Sequence, residues 1–580
     1  MDTNNHHRTG RHTRILLCSV FGPYAQDDAF GSRAVNPMEL YQNQVTRLQG
    51  AFSLRMFHRS FGLMMIQANI QAPCTLLDFP SQDRLTEEIR EHDYDVIGIS
   101  AILPNIDKVK RMCELIRLYR PQAQIVVGGH IAGKDDIRRR IDADHIVKGD
   151  GIRWFRKFLG EDEEAPIRHP AALSGFGGRI LGIDLDGKPG DTAAILIPSV
   201  GCPMGCNFCS TSALFGGKGH FLNFYQTGDE LFQVMTDIEA ELQVRSFFVL
   251  DENFLLHRKR ALRLLELMEA HDKDWALYVF SSARVLNSYT MDQLNGLGVS
   301  FVWMGLEGQA SAYDKLASID TKDLVAKLQT NGIRVLGSSI IGLENHTPEH
   351  MDGVIDYAVR HDTVFHQFML YTPLPGTPLY EEHRRQGTLY DEGEVPLADT
   401  HGQSRFNYRH AHISRGREEF FLLEAFRRDF DINGPSLARM IRVMLNGWLC
   451  HKNNPDRRIR RRITWETAPL RTTYAGAVWA MRAWYRGRDE SMAAKMDRLL
   501  DDLCRSFGWK TKILASLIGP YAYWLLKRED RRLASGWSYE PTCVYEKNAA
   551  ARALENKDPV PAGFTAPQKA HLAPRVIPAS

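Results

Sequence analysis

The sequence predicts an α/β protein in three parts: an N-terminal Rossmann-like domain, a partial or full (β/α) barrel, and a C-terminal α-helical domain. Two stretches alternate short apolar runs with amphipathic segments, which is typical of βαβ units around parallel sheets. A third stretch has helical spacing and many aromatic residues. The predicted divisions are a disordered N-terminus (1–13), the Rossmann-like domain (14–159), a linker (160–192), the barrel (193–400), the helical domain (401–547) and a disordered tail (548–580).

Composition limits the classes of function that this chain of 580 residues can have. Lys and Arg number 72 against 70 for Asp and Glu, and this near balance argues against nucleic acid as the main partner. The polar, basic N-terminus does not resemble a secretory signal, and no apolar stretch reaches the length of a spanning helix. Three of the nine cysteines fall within eight residues, which does not resemble a disulfide framework. We therefore expect a cytoplasmic protein.

Short apolar runs predict the strands of the first domain. Between the third and fourth runs, residues 106–122 have helical spacing and end at a proline. The segment after the first run is long, and it is predicted to lie at the carboxyl ends of the strands, where open α/β folds bind ligands. The runs are Ile15–Val20, Thr75–Phe79, Asp95–Ser100, Gln124–Gly128 and His145–Lys148.

A second alternation predicts the barrel. It follows a stretch rich in Gly and Pro, which we interpret as a linker with a hairpin. Helical patterns separate the strands, and six βα repeats over about 190 residues are typical of a (β/α) barrel. The predicted strands are Ala194–Pro198, Ser246–Leu250, Ala276–Ser281, Phe301–Gly305, Arg334–Ile341 and Phe365–Tyr371.

A cysteine motif directly after the first predicted barrel strand carries the strongest chemical signal. Cys202, Cys206 and Cys209 have the spacing C-x3-C-x2-C. Three thiolates on one loop can hold three irons of a [4Fe–4S] cluster and leave the fourth iron open for a small molecule. The alternative is a zinc knuckle or buried free thiols. Structural zinc takes four protein ligands, and His220 is the only additional ligand candidate nearby.

This motif and its place in the barrel resemble those of the radical S-adenosylmethionine (SAM) superfamily. The resemblance implies that the open iron binds the amino and carboxylate groups of SAM. One electron then cleaves SAM, and the resulting 5′-deoxyadenosyl radical abstracts a hydrogen atom from the substrate. It also implies an electron donor such as flavodoxin or ferredoxin.

The resemblance extends to residues at successive strand ends, where (β/α) barrels place their active sites. For each polar residue the alternative is a strand-end cap or an ion pair, and for Phe208 the family has an aromatic residue near the adenine. The residues that match SAM-contacting positions are Phe208, Asp251, Glu252, Ser282, Arg284, Glu307, Gly337 and Gly342.

The segment YTPLPGTPLY, residues 371–380, is similar to the sixth-strand segment of radical SAM enzymes that carry an N-terminal cobalamin-binding domain. The first domain resembles that Rossmann-like module, although it lacks the D-x-H-x-x-G motif of many cobalamin domains. A domain that keeps the fold without cobalamin is the alternative. A methylthiotransferase fits poorly, since its further cluster cysteines are missing. The matching residues are Ser100, Ala101, Gly128, Gly129, His130 and Gly149.

With cobalamin, the resemblance favours methyl transfer to an unactivated carbon. The alternatives are a radical cyclase, an oxidative or carbon–carbon coupling enzyme with a structural first domain, and a cluster-bearing binding protein without catalysis. Aromatic residues interleaved with arginine in Trp479–Arg486 indicate either an ordinary helical core or a surface for lipid. The hypothesis is a hydrophobic, membrane-derived substrate, with peripheral contact at the inner face of the membrane. The basic run 457–462 indicates a solvated face or attraction to anionic lipid or a charged substrate.

Overall fold

The structure of the chain is a computed structural model that describes residues 10–24, 29–30, 38–185, 192–307 and 319–555. Most of the predicted N-terminal and C-terminal disordered segments lies outside the described residues. The predicted α/β architecture is confirmed, with a Rossmann-like sheet, an open (β/α) sheet and a helical region following one another along the chain.

The first domain is built on a six-stranded sheet with the order β17-β3-β1-β4-β5-β6. Every pair is parallel except β17–β3, which is antiparallel. Strand β1 is buried along its whole length, as its continuous apolar sequence ILLCS requires. The elements are β1 Ile15–Ser19, β2 Arg55–Phe57, α1 Phe61–Ala68, β3 Cys74–Asp78, α2 Gln82–Glu91, β4 Val96–Ser100, α3 Ile106–Tyr119, β5 Gln124–Gly128, β6 His145–Ile146, α4 Gly151–Phe158 and β17 Val544–Lys547.

The predicted linker contains the expected hairpin. Strands β7 Phe176–Ile180 and β8 Ile183–Leu185 pair antiparallel, and β7 also pairs with β2 of the first domain. The hairpin is held by Arg179, whose guanidinium donates to both oxygens of the buried Glu529 at 2.9 and 2.7 Å. The linker therefore packs firmly against the rest of the molecule.

The second domain is an open, all-parallel sheet with the order β16-β15-β14-β13-β12-β9, which makes it a partial barrel. Its six predicted strands are confirmed. The elements are β9 Ala194–Leu196, β10 Ser199–Val200, α5 Ser210–Leu214, β11 Leu222–Asn223, α6 Gly228–Leu242, β12 Ser246–Val249, α7 Arg258–Ala270, β13 Ala276–Phe280, α8 Ala283–Leu286, α9 Met291–Gly296, β14 Val299–Glu307, α10 Thr321–Thr330, β15 Arg334–Ile341, α11 Met351–Val359, β16 Phe365–Leu370 and α12 Pro378–Gln386.

The third region consists of long helices packed against one another and against the barrel. Gly476 and Gly519 let two of these helices approach closely, since a Cβ on Gly519 would lie 2.5 Å from the ring of Trp479. Among the described residues, none of the helices combines the length and apolarity needed to cross a bilayer. The helices are α13 Arg417–Asn433, α14 Ser436–His451, α15 Arg457–Glu466, α16 Thr473–Tyr485, α17 Glu490–Phe507 and α18 Trp509–Ala534.

Two elements within residues 544–555 differ from the predicted domain divisions. Strand β17 falls within the range predicted to be the helical domain, yet it completes the first sheet by pairing with β3. A short helix, α19 Ala549–Glu555, occupies the beginning of the predicted tail. A four-residue strand of mixed polarity carries little periodic signal, so its partner cannot be inferred from spacing.

The basic run on α15 is largely a structural element. Arg458 and Arg462 are buried and donate to carbonyl groups of the barrel, those of Gly296 and Asn295. Arg461 pairs with Asp272 and Asp274. The sequence predicted either a solvated face or attraction to anionic lipid or a charged substrate. Neither describes these three arginines, because they lie at the interface between the helical region and the barrel.

Candidate active site

A cavity of about 540 Å³ lies between the first domain and the barrel. Its first-domain wall is made by glycine-rich strand ends, and its barrel wall is made by the segment after Cys209 and the ends of β12 and β13. Both walls are therefore the carboxyl edges of parallel strands, which is where α/β folds bind ligands. The cavity places both sets of strand ends around one space.

The three motif cysteines lie on the loop that leads from the first barrel strands into α5. Gly201 and Gly205 adopt φ values of +87° and +64°, which suit glycine, and a Cβ on Gly205 would lie 2.5 Å from the Lys218 side chain. The thiol of Cys209 caps α5 by accepting from the Ser212 amide at 3.4 Å. The hydroxyl of Ser212 donates to the Cys202 carbonyl at 2.9 Å, which closes the loop on itself.

The three thiols are half-buried and are not in disulfides. Burial, with a smaller contribution from the neighbouring Cys209 and Cys206, raises the pKa of the Cys202 thiol to about 11. Among the described residues, no three His, Cys, Asp or Glu side chains are grouped closely enough to hold one metal ion. Three thiolates on one loop match the three protein ligands of a [4Fe–4S] cluster with one open iron, whereas structural zinc takes four protein ligands.

The strand end after β12 presents two carboxylates in different states. Asp251 is buried, and its carboxylate accepts from Arg260 at 2.6 Å, from the Ser199 hydroxyl and from the backbone amide of Asn253. Glu252 lines the cavity with its Oε2 atom buried and without a hydrogen-bond partner among the described residues. Burial raises the pKa of Glu252 to about 7. Asp251 is engaged in holding the strand end, whereas Glu252 has an oxygen available for a cationic ligand.

Asn253 ties the second strand end to the third. Its side-chain oxygen accepts from the Ser281 hydroxyl and from the Ser282 amide, both at 3.1 Å, and its amide donates to the Ser282 hydroxyl at 3.3 Å. Ser282 is thereby fixed beside the predicted SAM-contacting residues of the neighbouring strand. Asn253 was not among the predicted site residues, because its position in the sequence gives no sign of this bridging role.

The segment 371–380 packs on the cysteine loop. Asn207 donates to the Tyr371 hydroxyl at 3.3 Å, and its carbonyl accepts from the Leu379 amide at 3.0 Å. Phe208 lies edge-on to Tyr371, with ring centroids 6.1 Å apart. On the other side, a Cβ on Gly376 would lie 2.8 Å from a carbonyl oxygen of the first domain. This segment therefore connects the cysteine loop to the first domain.

Several predicted SAM-contacting residues do not line the cavity. Gly337 and Gly342 give space to the side chains of Leu306 and Phe406, which a Cβ would approach to 2.6 and 2.3 Å. Glu307 ends β14 at a φ of +53°, and Arg284 is exposed on α8. Phe208 and Ser282 are not among the residues that line the cavity either. Contact with SAM remains a prediction for all of these residues and for Asp251 and Glu252.

Five of the six predicted cobalamin-contacting residues lie in the first-domain wall. Ser100, Gly128, Gly129, His130 and Gly149 line the cavity. Ala101 lies just behind them, where a Cβ on Gly129 would come within 2.6 Å of its carbonyl oxygen. Gly129 and Gly149 have φ values of +86° and +87°. This wall exposes backbone, which lets a large flat ligand approach closely.

Helix α1 contributes a part of the cavity that sequence analysis did not identify. Phe61, Met65 and Ile66 line the space between the two walls. The helix sequence FGLMMIQA is apolar on nearly every face, so it must be buried on more than one side. That composition was the available signal, and the long segment after the first strand was already predicted to lie near a ligand.

The two walls are held together by polar contacts. The His130 ring lies 3.3 Å from the hydroxyl of Thr211, two residues after Cys209. Outside the residues that line the cavity, Arg140 of the first domain makes a paired interaction with Glu392, with both distances 2.6 Å. The first domain and the barrel are therefore in contact at both of these places.

Comparison with known families agrees with this geometry. A family model described as the B12 binding domain matches residues 51–158, and one described as the radical SAM superfamily matches residues 196–358. The first match contains the glycine wall, and the second contains the cysteine loop and the strand ends of the opposite wall.

The chain is similar at low identity to several known proteins. An uncharacterized methyltransferase of Pyrococcus horikoshii is 24% identical over 50% of this chain and 70% of its own length. Bacteriochlorophyllide d C-8(2)-methyltransferase of Chlorobaculum tepidum is 23% identical over 58% of this chain and 77% of its own length. Anaerobic magnesium-protoporphyrin IX monomethyl ester cyclase of Rubrivivax gelatinosus is 23% identical over 54% and 62%.

These domains imply a [4Fe–4S] cluster, SAM and cobalamin as cofactors. The residues present fit all three. The cysteine loop offers thiolates for the cluster, the unpartnered Glu252 oxygen suits a cationic ligand such as SAM, and the glycine wall leaves open backbone for a corrin.

Proposed function

We propose that this chain, a radical SAM enzyme with a B12-binding domain, transfers a methyl group to an unactivated carbon of a hydrophobic substrate. The observation that carries the proposal is the single cavity onto which both the glycine wall and the strand ends behind the cysteine loop open. Methyl transfer to a substrate radical requires the two cofactors to reach one substrate carbon. A shared space between the domains meets this requirement.

Each part of the cavity has a proposed role. Cys202, Cys206 and Cys209 hold the cluster, Glu252 orients the positive end of SAM, and the wall of Ser100, Gly128, Gly129, His130 and Gly149 seats the corrin. When bound, the cluster supplies the electron that cleaves SAM, and the corrin carries the methyl group. The protein itself positions the reactants and excludes water, which the apolar side chains of α1 help to do.

The hydrophobic character of the substrate is supported by the lining of the cavity. Phe61, Met65, Ile66, Leu214 and Phe215 contribute apolar surface, and Glu252 and Asp251 are the acidic residues of the barrel wall. Two relatives are named for bacteriochlorophyllide d and for magnesium-protoporphyrin IX monomethyl ester. A lipid or another large apolar molecule therefore suits the site better than a small polar metabolite.

Ring formation is the second candidate reaction, because one relative is named as a cyclase. In that case, the radical forms in the same place but no methyl group reaches the product. We also propose that a small electron-transfer protein such as flavodoxin or ferredoxin reduces the cluster, and that the protein works in the cytoplasm with peripheral contact at the inner face of the membrane.

Anaerobic reconstitution tests the proposal. The full chain is loaded with iron, sulfide and hydroxocobalamin, then given SAM labelled in its methyl group and a reductant, and the products are analysed by mass. We expect bound corrin and 5′-deoxyadenosine. Cys206→Ala should lower 5′-deoxyadenosine formation by more than about 100-fold, because the cluster loses a ligand. Cys450→Ala, which removes an exposed cysteine on α14, should leave it unchanged.

The product separates the candidate reactions. Labelled methyl on a hydrophobic acceptor supports methyl transfer, whereas 5′-deoxyadenosine without bound corrin supports ring formation or coupling. Methylation of a small polar metabolite together with no reaction on apolar acceptors would contradict the proposed substrate class. Absence of both corrin and 5′-deoxyadenosine would contradict the cluster assignment.

A further inference from the structure

Helix α18 exposes an apolar stripe on its first sixteen residues. Trp509, Ile513, Leu517, Tyr521 and Trp524 recur at helical spacing and are 69, 49, 70, 62 and 49% exposed. They account for five of the twelve large hydrophobic side chains that are exposed in the described part of the chain. The opposite face of the helix is buried against α16 and α17. A contiguous apolar surface of this kind marks a site of interaction.

The charges beside the stripe are all of one sign. Residues 509–528 contain Lys510, Lys512, Lys527 and Arg528, and they contain no Asp or Glu. Three of these cations lie over aromatic rings: Lys510 over Trp509, Lys527 over Tyr523 and Arg528 over Trp524, at 5.9, 4.5 and 5.6 Å. Aromatic rings with cations at their edges are typical of segments at the boundary between lipid headgroups and acyl chains.

A basic cleft of about 640 Å³ adjoins the start of the stripe. It is lined by Arg482, Arg498, Arg505 and Lys512 with one acidic residue, Asp501. Arg505 pairs with Asp502, and Arg482 keeps its Nε atom buried and without a hydrogen-bond partner although it reaches Asp497 at 3.2 Å. Within the described chain, Arg498 and Lys512 form no ion pair. The cleft therefore offers positive charge to phosphate groups beside the apolar stripe.

The stripe is presented on a rigid support. Ile518 and Gly519 pack against Gly476 and Trp479 of α16 with so little space that a Cβ on either glycine would lie 2.5 Å from its neighbour. Glu529, at the end of the same helix, is held by Arg179. The apolar side chains cannot turn inward without breaking this packing, so their exposure is a fixed property of the surface.

We propose that α18 docks this enzyme on a membrane surface rich in anionic lipids. The stripe enters the boundary between headgroups and acyl chains, and the lysines, Arg528 and the basic cleft bind lipid phosphates. This inference rests on the peripheral membrane contact proposed above and names the surface that makes it. It does not depend on any catalytic step.

The positive charges beside the stripe favour an anionic membrane over a second copy of the chain or residues 556–580 as the partner of this surface. A second copy seated stripe against stripe would bring two sets of cations together, which opposes the contact. Residues 556–580 contain Lys557, Lys569 and Arg575 against Asp558, so they also bring an excess of positive charge. An anionic bilayer is complementary to both the apolar and the basic parts of this surface.

Vesicle sedimentation of the full, cofactor-loaded protein tests the inference. The probes are vesicles of phosphatidylcholine alone and vesicles with added phosphatidylglycerol. We expect binding to the anionic vesicles and its weakening by salt. Leu517→Ser/Tyr521→Ser should reduce binding by about 10-fold or more, because two apolar anchors are lost. Lys510→Gln/Lys512→Gln/Lys527→Gln should reduce it by a similar factor and remove the preference for anionic vesicles.

A matched control is Phe420→Ser/Ile432→Ser, which removes two exposed apolar side chains from α13 and should leave vesicle binding unchanged. If the apolar variant fails to fold, the lysine variant still tests the inference, since its targets are exposed on the surface. Absence of vesicle binding, binding that neither variant changes, or a dimer that the apolar variant dissociates would overturn the inference. Formation of 5′-deoxyadenosine without vesicles reports separately on the proposed reaction.

Discussion

The two walls of the central cavity present different groups to a ligand. The first-domain wall combines apolar side chains with several glycines at strand ends, of which Gly129 and Gly149 have positive φ values. The barrel wall presents the Glu252 carboxylate among apolar side chains such as Leu214 and Phe215, and the cysteine loop leads into this wall at Thr211. A corrin is large and flat, so open backbone suits it, whereas an iron cluster and a small cationic molecule need specific donor atoms. Changes to the two walls should therefore have separable effects.

The largest effect on the first wall should come from Gly129→Ala. The added Cβ would lie 2.6 Å from the Ala101 carbonyl oxygen at a φ of +86°. Strain and displacement of about 3 kcal/mol would lower corrin affinity roughly 100-fold. Corrin absorbance after reconstitution measures this loss, and 5′-deoxyadenosine formation should persist.

The matched control for that variant is Gly160→Ala. Gly160 also has a positive φ, +68°, but a Cβ there would have nothing within 4 Å and would lie away from the cavity. It should retain corrin. Equal corrin retention by Gly129→Ala and the parent chain would show that the glycine wall does not seat the cofactor.

An intermediate effect should come from Glu252→Gln on the barrel wall. Loss of the charge beside a cationic ligand should weaken SAM binding by about 10-fold, or roughly 1.4 kcal/mol. Because burial raises the pKa of Glu252 to about 7, the parent protein should bind SAM more tightly as the pH rises through 7. The variant should lose this dependence, and corrin retention should stay unchanged. Glu241→Gln, an exposed change on α6, is the control.

The raised pKa of Glu252 also predicts how the stability of the protein depends on pH. Its folded pKa of about 7 lies above the ordinary value of 4.5, so folding favours the protonated form. The cost of the buried charge begins to appear above the ordinary pKa and is complete above 7. Without ligands, Glu252→Gln should therefore raise the melting temperature at pH 8 and change it little at pH 5. A larger gain at pH 5 would contradict this assignment.

The smallest effect should come from Glu392→Gln, which tests whether the two walls act as one body. The variant weakens the paired contact with Arg140, whose side chain is 25% exposed against 42% for Glu392. Solvent screens such a pair, so we expect a loss of less than about 1 kcal/mol and at most a roughly 3-fold fall in product formation. A much larger fall, with corrin and SAM still bound, would show that the walls must be held in register for methyl transfer.

The sequence was most informative where periodicity or a dense motif carried the signal. The strands of both parallel sheets follow from Val- and Ile-rich runs, and the cysteine loop follows from its spacing. Five of the six residues named for the corrin wall line the cavity. The roles of strand-end residues in the barrel were harder to predict. The sequence around Gly337 and Gly342 would be the same whether these glycines faced a ligand or made room for the side chains of Leu306 and Phe406.

Features that depend on distant contacts could not be predicted. Helix α1 closes the cavity because it packs between two domains, and local spacing does not specify its neighbours. A run of arginines such as that of α15 is typical of a solvent-exposed helix face, yet Arg458 and Arg462 are buried against carbonyl groups of the barrel. In each case the environment that decides the role lies far away along the chain.

Strand β17 has a consequence for the order of assembly during synthesis. Val544 pairs with Asp78, and Glu540 accepts from the Tyr24 amide at 2.7 Å, a contact that spans 516 residues. The ribosome must make the barrel and all the long helices before this edge of the first sheet is covered. Until then, β3 presents an unpaired edge, the kind of surface on which chaperones and unwanted partners act. Completion of the first sheet thus waits until residues 544–547 have emerged.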